Sequence, residues 1–236
     1  MAEKPILFNT PMVQAILDLR KRMTRRPIDK DISNCFDIDT DGSVYAYINP
    51  ATGDSFKPED ICRYKVGDIL YVRETFARYQ TANYIRRPDG RAFSEISDGQ
   101  FAYKADGFDS IEDLRDHIRL MSDCSLEEIF IDGDRWRPSI HMPREAARIF
   151  LRVTGVRVER LQEITEEGAI AEGFEPATCD CSHRDSFGCT DCMNTGIIEP
   201  AMLGFVDTWD DIYSGRGYGW EQNPWVEVDE FERVAP

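Results

Sequence analysis

Across its 236 residues the chain has no apolar run approaching the ~20 residues that a membrane-spanning helix needs. Its opening stretch, MAEKPILFNTPMVQAIL, has too short an apolar segment, an early acid and no small-residue cleavage site, so no export signal is read there. A cytoplasmic protein with no membrane partner is therefore expected. Cations are scarce too: 28 Lys and Arg stand against 44 Asp and Glu, a formal net charge of -16. That excludes a broad basic face of the kind that coats a duplex, because neutralising many phosphates takes many cations. There is no internal repeat, no low-complexity segment and no βαβ rhythm. The glycine-rich YSGRGYGW lacks the strand-then-helix setting of a dinucleotide fingerprint.

What is present reads as strands with a few helices. SVYAYINP is a β-rich run closed by a proline and a glycine turn, one strand of a hairpin or meander. VGDILYVRETF starts at a Gly-Asp turn, and its ILYV should form a buried strand that delivers Arg73 and Glu74 to its far end. FAYKAD and the long alternating IFLRVTGVRVERL are further strands, and SIEDLRDHIRLM is a helix. ITEEGAIAEGF resembles a short helix capped by Thr165, with Gly168 and Gly173 as breakers. A short helix, a glycine-rich loop and a closing strand, WVEVDEFERV, end the chain. This pattern predicts an α+β fold built on a small mixed barrel.

The cations that do occur are concentrated. In RKRMTRR, Arg20 to Arg26, five of seven residues are basic. PMVQAILDLRKRMTRR has Met12, Val13, Ile16 and Leu17 at helical spacing, with Asn9 or Thr10 as cap and Pro11 in the first turn, so an amphipathic helix running into the island is expected. Its C-terminal dipole favours cations, and a solvated helix face is one account of the island. The other is one wall of a small cleft for an anionic ligand. On such a helix Lys21 and Thr24, three apart, share a face. A lysine crowded by Arg20, Arg22, Arg25 and Arg26 has its charged form disfavoured and can act as a base toward Thr24, with Glu74 completing the set.

WRPSIHMPR sets Trp136, His141 and Met142 among Arg135, Arg137 and Arg144. Arginines beside an aromatic suit stacking on a base and holding a phosphate. The alternative is that Trp136 belongs to the core and the prolines shape a corner. Of seven cysteines, Cys35, Cys62 and Cys124 are scattered and read as small buried hydrophobes, while Cys179, Cys181, Cys189 and Cys192 form C-x-C-x7-C-x2-C. That set is either a closed structural zinc site, for which His183 offers a substitute ligand, or a redox or unligated loop.

Together, KPILFNTPMVQAILDLRKRMTRR, VGDILYVRETF, WRPSIHMPREAARI, VTGVRVERLQEI and TWDDIYSGRGYGWEQNPWVEVDEFERV resemble the ASCH-domain family of the PUA-like superfamily, and more closely its phage and prophage members. The family hallmark G-x-K-x-x-T-x-R is matched by Lys21, Thr24 and Arg26, with Leu19 where glycine is expected. The resemblance implies one domain over 1–236, a PUA-like β-barrel with flanking helices, interrupted by an acidic insertion at 84–134 and the Cys-rich insertion at 174–203. It implies RNA or modified-nucleoside binding, with Arg25, Arg26, Trp136, His141 and Arg144 lining the cleft. Some members deacetylate N4-acetylcytidine through a lysine, a threonine and a glutamate, here Lys21, Thr24 and Glu74. A third reading is an acidic phage interaction protein that meets a basic partner.

Overall fold

The computed structural model describes residues 3–86, 92–97, 99–121, 126–179 and 197–235. It is an α+β structure whose chain, the terminal residues apart, forms two compact units: Ala15–Ile69 with Leu151–Val234, and Lys4–Gln14 with Leu70–Phe150. In chain order its first elements are β1 (Glu3–Leu7), α1 (Thr10–Leu17), β2 (Met23–Pro27), α2 (Lys30–Ser33), β3 (Phe36–Ile38), β4 (Val44–Ile48), β5 (Ser55–Phe56) and α3 (Pro58–Ile61). Next come β6 (Ile69–Arg73), β7 (Phe76–Arg86), β8 (Ala92–Ile96), β9 (Gln100–Tyr103), α4 (Ile111–Met121) and β10 (Leu126–Ile131). The chain closes with β11 (Phe150–Arg160), α5 (Glu166–Ala171), β12 (Ala177–Thr178), β13 (Ile197–Glu199), α6 (Ala201–Tyr213) and β14 (Trp225–Val234).

In the first unit β11, β14 and β2 lie side by side in that order. β14 and β2 are antiparallel, with Glu227 opposite Arg26, Val228 opposite Arg25 and Asp229 opposite Thr24. Because strand side chains alternate, the two faces of this ribbon have different fates. Val226 and Val228 enter a core with Leu161, Ile164, Ala169, Phe205 and Trp209, supplied by the turn after β11 and by α5 and α6. Each such fully buried aliphatic contributes roughly 1.5–3 kcal/mol. Glu227 and Asp229 point to the opposite face. The β3, β4 and β5 strands make a separate antiparallel meander, as SVYAYINP led us to expect.

The second unit is organised on β7, which carries β10 on one side and β8 and β9 on the other. Helix α4 lays Leu114 and Ile118, one turn apart, on Ala77, Ala102 and Ile131. Here too β1 and β6 are neighbours, and β6 ends at Arg73, so ILYVR is the buried strand its sequence predicts.

Among the described residues the sheets are open and no set of strands closes into a barrel. No described helix is long and apolar enough to cross a membrane. The helix expected through the cationic island is shorter than its spacing suggested. α1 stops at Leu17, and the island passes through a loop into β2. Its end is a Schellman cap: Arg20 N–H reaches the Ala15 carbonyl at 2.9 Å, Leu19 N–H reaches that of Ile16 at 3.1 Å, and Leu19 holds φ 62 between them. The position where the resemblance expects glycine thus has a left-handed backbone, the conformation in which glycine carries no steric cost.

Candidate functional site

The cap at Leu19 turns Lys21 inward. Its ammonium is buried and donates to the Glu172 carbonyl at 2.8 Å and to Glu172 Oε2 at 2.6 Å. Glu172 also pairs with Arg25 through Oε1 at 3.3 Å, Arg25 meets Glu159 Oε1 at 2.8 Å, and Glu159 Oε2 meets Arg157 at 2.8 Å. Arg157 in turn pairs with Glu230. Charges therefore alternate in one chain from a buried lysine to a half-exposed glutamate. Arg20 is matched by Asp18, Glu175 and the Gly173 carbonyl. Burial pulls the Lys21 amine below the ordinary lysine range, while Glu172 acts in the opposite direction.

Two glycines make this packing possible. At Gly173, φ is 100 and an added Cβ would come within 2.8 Å of Ala15 Cβ and 3.0 Å of Lys21 Cβ. Gly168, expected to break a helix, lies inside α5 instead, where a Cβ would meet Ile164 at 3.0 Å and the Arg25 guanidinium at 3.2 Å. Thr165 caps α5 as expected, accepting from Gly168 N–H at 3.1 Å.

Lys21 and Thr24 do not share a helical face, which corrects the spacing argument: one lies in a loop, the other on β2. Thr24 and Arg26 project to the ribbon's other face, beside Asp229 and Glu227. Tyr64 N–H holds Glu227 Oε1 at 3.2 Å. Asp229 is 0% exposed. Neither of its carboxyl oxygens has a hydrogen-bond partner among the described residues. Burial foremost, then the charge of Glu227, push this acid up to about 8, with Arg26 opposing.

Glu227 also lines a cavity of about 520 Å³ in this unit, with Ile28, Ile32 and Ile61 as apolar wall and Arg63 and Tyr218 beside them. The volume is in the range of small-molecule sites. Tyr218 is fixed by its backbone: Trp209 Nε1 donates to its carbonyl at 2.7 Å, and the next turn is tied by Trp220 N–H to Asp210 at 2.6 Å. The glycine-rich loop thus presents Tyr218 to the cavity, while Trp220 packs on the core. Cys62, also on the wall, has its thiol pushed up to about 12 by burial and is no nucleophile. It fits the small-hydrophobe reading; Cys35 is half-buried, and Cys124 lies outside the described residues.

The remaining sequence-predicted residues belong to the second unit. Glu74, at the end of β6, is buried and held bidentately by Arg148 at 3.0 and 3.1 Å. Arg148 also pairs with Asp106 at 2.7 Å and stacks on Tyr103 at 3.9 Å. Burial raises the Glu74 carboxyl and Arg148 lowers it, leaving a net rise. Trp136 packs on the α4 core and stacks on Phe108 with ring centroids 6.5 Å apart, which favours its core reading. His141 is exposed in a short turn, and the Arg144 guanidinium lies over Phe150 at 4.5 Å and Tyr71 at 5.4 Å.

Of the cysteine set, only Cys179 is described, half-buried after β12; Cys181, Cys189, Cys192 and His183 lie outside the described residues. Sequence reasoning missed Glu159, Glu172, Tyr218, Glu227 and Asp229. The last two were accessible, since WVEVDEF alternates apolar and acidic residues and puts both acids on one face. No family model, curated protein or solved structure matches the chain.

Proposed function

We propose that the first unit is an ASCH-type module that binds a base of RNA or of a modified nucleoside, and that the base enters the cavity beside Glu227. One observation carries this reading: a cavity of about 520 Å³ is lined by isoleucines, a tyrosine, an arginine and a buried glutamate, with the Lys30 ammonium 5.2 Å from the centre of the tyrosine ring. A flipped-out base needs those parts, an apolar and aromatic surface for its faces and a few polar groups for its edge. The cationic island has another task in this reading, because Arg20, Lys21 and Arg25 are matched by carboxylates. A PUA-like barrel is the finer fold that goes with this proposal, and a structural zinc on the four cysteines goes with it as a stabiliser of their loop. Metal analysis of protein purified without chelator tests the latter.

Calorimetric titration with a panel of nucleosides, N4-acetylcytidine and short single-stranded RNAs tests the binding reading. Wild type should bind at least one of them, and Glu227→Gln and Tyr218→Ala should each weaken it tenfold or more. Equal affinity in both variants, or no binding by wild type, would overturn it. A second reading is the amidohydrolase, with Lys21, whose amine burial pulls below the ordinary lysine range, as its base. Release of cytidine from N4-acetylcytidine by wild type and not by Thr24→Ala supports it; binding without release removes it.

A further inference from the structure

We infer that the β3–β4–β5 meander of the first unit is a docking surface for an arginine-rich segment of a partner protein. The inference goes beyond the base-binding reading and does not depend on it. In the ladder Tyr47 lies opposite Phe36 on one side and Phe56 on the other, so the three rings share a face, and Tyr45, two residues along β4, falls on that face as well. The row is anchored at one end and open at the other. Phe36 packs edge-on against the buried Trp225 with centroids 5.7 Å apart, whereas Phe56, 6.3 Å from Tyr47, is 41% exposed and Tyr45 is 58% exposed. The buried residue of β4 is the small Ala46, whose side chain points the other way. A strand that turns its alanine inward and its tyrosines outward marks an interaction surface.

The charges around these rings are nearly all of one sign. From Phe36 to Lys57 the sequence holds four acids, Asp37, Asp39, Asp41 and Asp54, and Lys57 as its one base. All four acids are exposed, and among the described residues none of them pairs with a cation, unlike the carboxylates that hold Lys21 and Arg25. Ring and carboxylate are in direct contact here: the Tyr45 hydroxyl donates to Asp37 Oδ2 at 2.5 Å. That bond foremost, with the charge of Asp39 among the lesser causes, raises the Tyr45 hydroxyl above its ordinary range. The turn is fixed by its own acids, Asp39 Oδ1 accepting from Thr40 N–H at 2.6 Å and Asp41 Oδ1 from Ser43 N–H at 2.9 Å. Arginine is the side chain that uses both features together, since its planar guanidinium stacks on a ring and forks to a carboxylate, while a lysine ammonium is a compact, strongly hydrated point charge. The chain makes the same combination internally at Arg148, which lies over Tyr103 at 3.9 Å and pairs with Glu74 and Asp106. A nucleic acid could stack bases on the rings but would bring phosphates against unmatched carboxylates, so the charge selects a basic polypeptide.

The test is fluorescence anisotropy at about 0.15 M salt with a labelled peptide of alternating arginine and glycine, its lysine counterpart and a single-stranded uridine oligonucleotide. Each is titrated with wild type, Tyr45→Ala/Phe56→Ala, Asp37→Asn/Asp54→Asn and a charge control, Asp211→Asn/Glu221→Gln, which neutralises two exposed acids elsewhere in the same unit. Thermal melting first checks that every variant folds. The arginine peptide should bind wild type about threefold or more tighter than the lysine peptide, each meander variant should weaken it about tenfold, and the control should change it by less than about twofold. No binding by wild type, equal affinity for the two peptides, or unchanged binding in Tyr45→Ala/Phe56→Ala overturns the inference. So does a control that weakens binding as much as Asp37→Asn/Asp54→Asn, because the peptide would then follow the net charge of the whole chain. Oligonucleotide binding that is lost with the rings while peptide binding stays would make this face a nucleic-acid platform and overturn the inference as well. Should Tyr45→Ala/Phe56→Ala fail to fold, Tyr45→Leu/Phe56→Leu keeps apolar bulk and removes the rings, and the arginine-to-lysine ratio of wild type still decides the question.

Discussion

The β2–β14 ribbon carries charged residues on both faces, and the two faces treat them in opposite ways. On the core side, Lys21 and Arg25 share Glu172, and Arg25 passes the pattern on to Glu159. On the other side Asp229, 0% exposed, has no hydrogen-bond partner for either oxygen among the described residues. A buried ion pair is costly to break and gives little when made, whereas a buried acid without a partner is costly as it stands. The matched face therefore has a structural role, and on the other face Glu227, two residues from Asp229, is the acid that lines the cavity. Glu74 in the second unit falls on the matched side of this division, because Arg148 holds both of its oxygens.

The largest effect should come from breaking the matched face. Glu172→Gln keeps the shape but leaves Lys21 buried without its counter-charge, and we expect a loss of about 3–5 kcal/mol in urea unfolding at pH 7. The sign of its pH dependence follows from Lys21. With the folded-state pKa lowered, the unfolded chain binds the extra proton up to about pH 10.5, so the variant should regain stability as pH rises toward that value. A loss below 1 kcal/mol, flat with pH, would mean that the pairing contributes little.

Asp229→Asn probes the other face and should move stability the opposite way. An acid raised from 3.8 to about 8 keeps its proton in the folded state and loses it in the unfolded one. Between those values this group makes stability fall as pH rises, by at most about 1.4 kcal/mol per unit. The asparagine variant should lack that slope and be the more stable protein at pH 8, while parallel curves for the two proteins would show Asp229 to be ionised in the native state already.

Much of this architecture is legible in the sequence, and the parts that are not have identifiable causes. β-rich runs beside turn residues located β4 and β6, alternation located β11, the closing run WVEVDEFERV was read as β14, and Thr165 announced α5, since these signals are local. The end of α1 was hidden because its Schellman position carries leucine where glycine would have signalled a stop, and Met23 happens to continue the helical spacing. The partner of Lys21 was hidden by distance, with Glu172 lying 151 residues along the chain. No local pattern can announce such a pair, and the cationic island therefore read as an open basic wall when most of its cations have carboxylate partners.

Leu19→Gly tests the hidden stop directly. At φ 62 a leucine carries roughly 1–2 kcal/mol of left-handed strain, and with its side chain 73% exposed little packing is lost on removing it. Glycine returns part of that gain through its freer unfolded chain, so a net stabilisation of about 1 kcal/mol is expected in thermal or urea unfolding. A destabilised variant would show that Leu19 makes contacts worth more than its strain.

The smallest effect belongs at the exposed end of the same charge chain. Arg157 and Glu230 pair where both side chains are about 40% accessible, at 41% and 42%, so water screens most of their attraction. Glu230→Gln should cost no more than about 1 kcal/mol, and the difference from wild type should shrink further in 1 M salt, where the screening length falls to ~3 Å. Glu172→Gln, with Lys21 and Glu172 removed from solvent, should keep its deficit at the same salt. If both deficits vanished together, burial would not be what separates the two ends; if the Glu230 deficit persisted in salt, the alternating charges would act as one cooperative network extending to the surface.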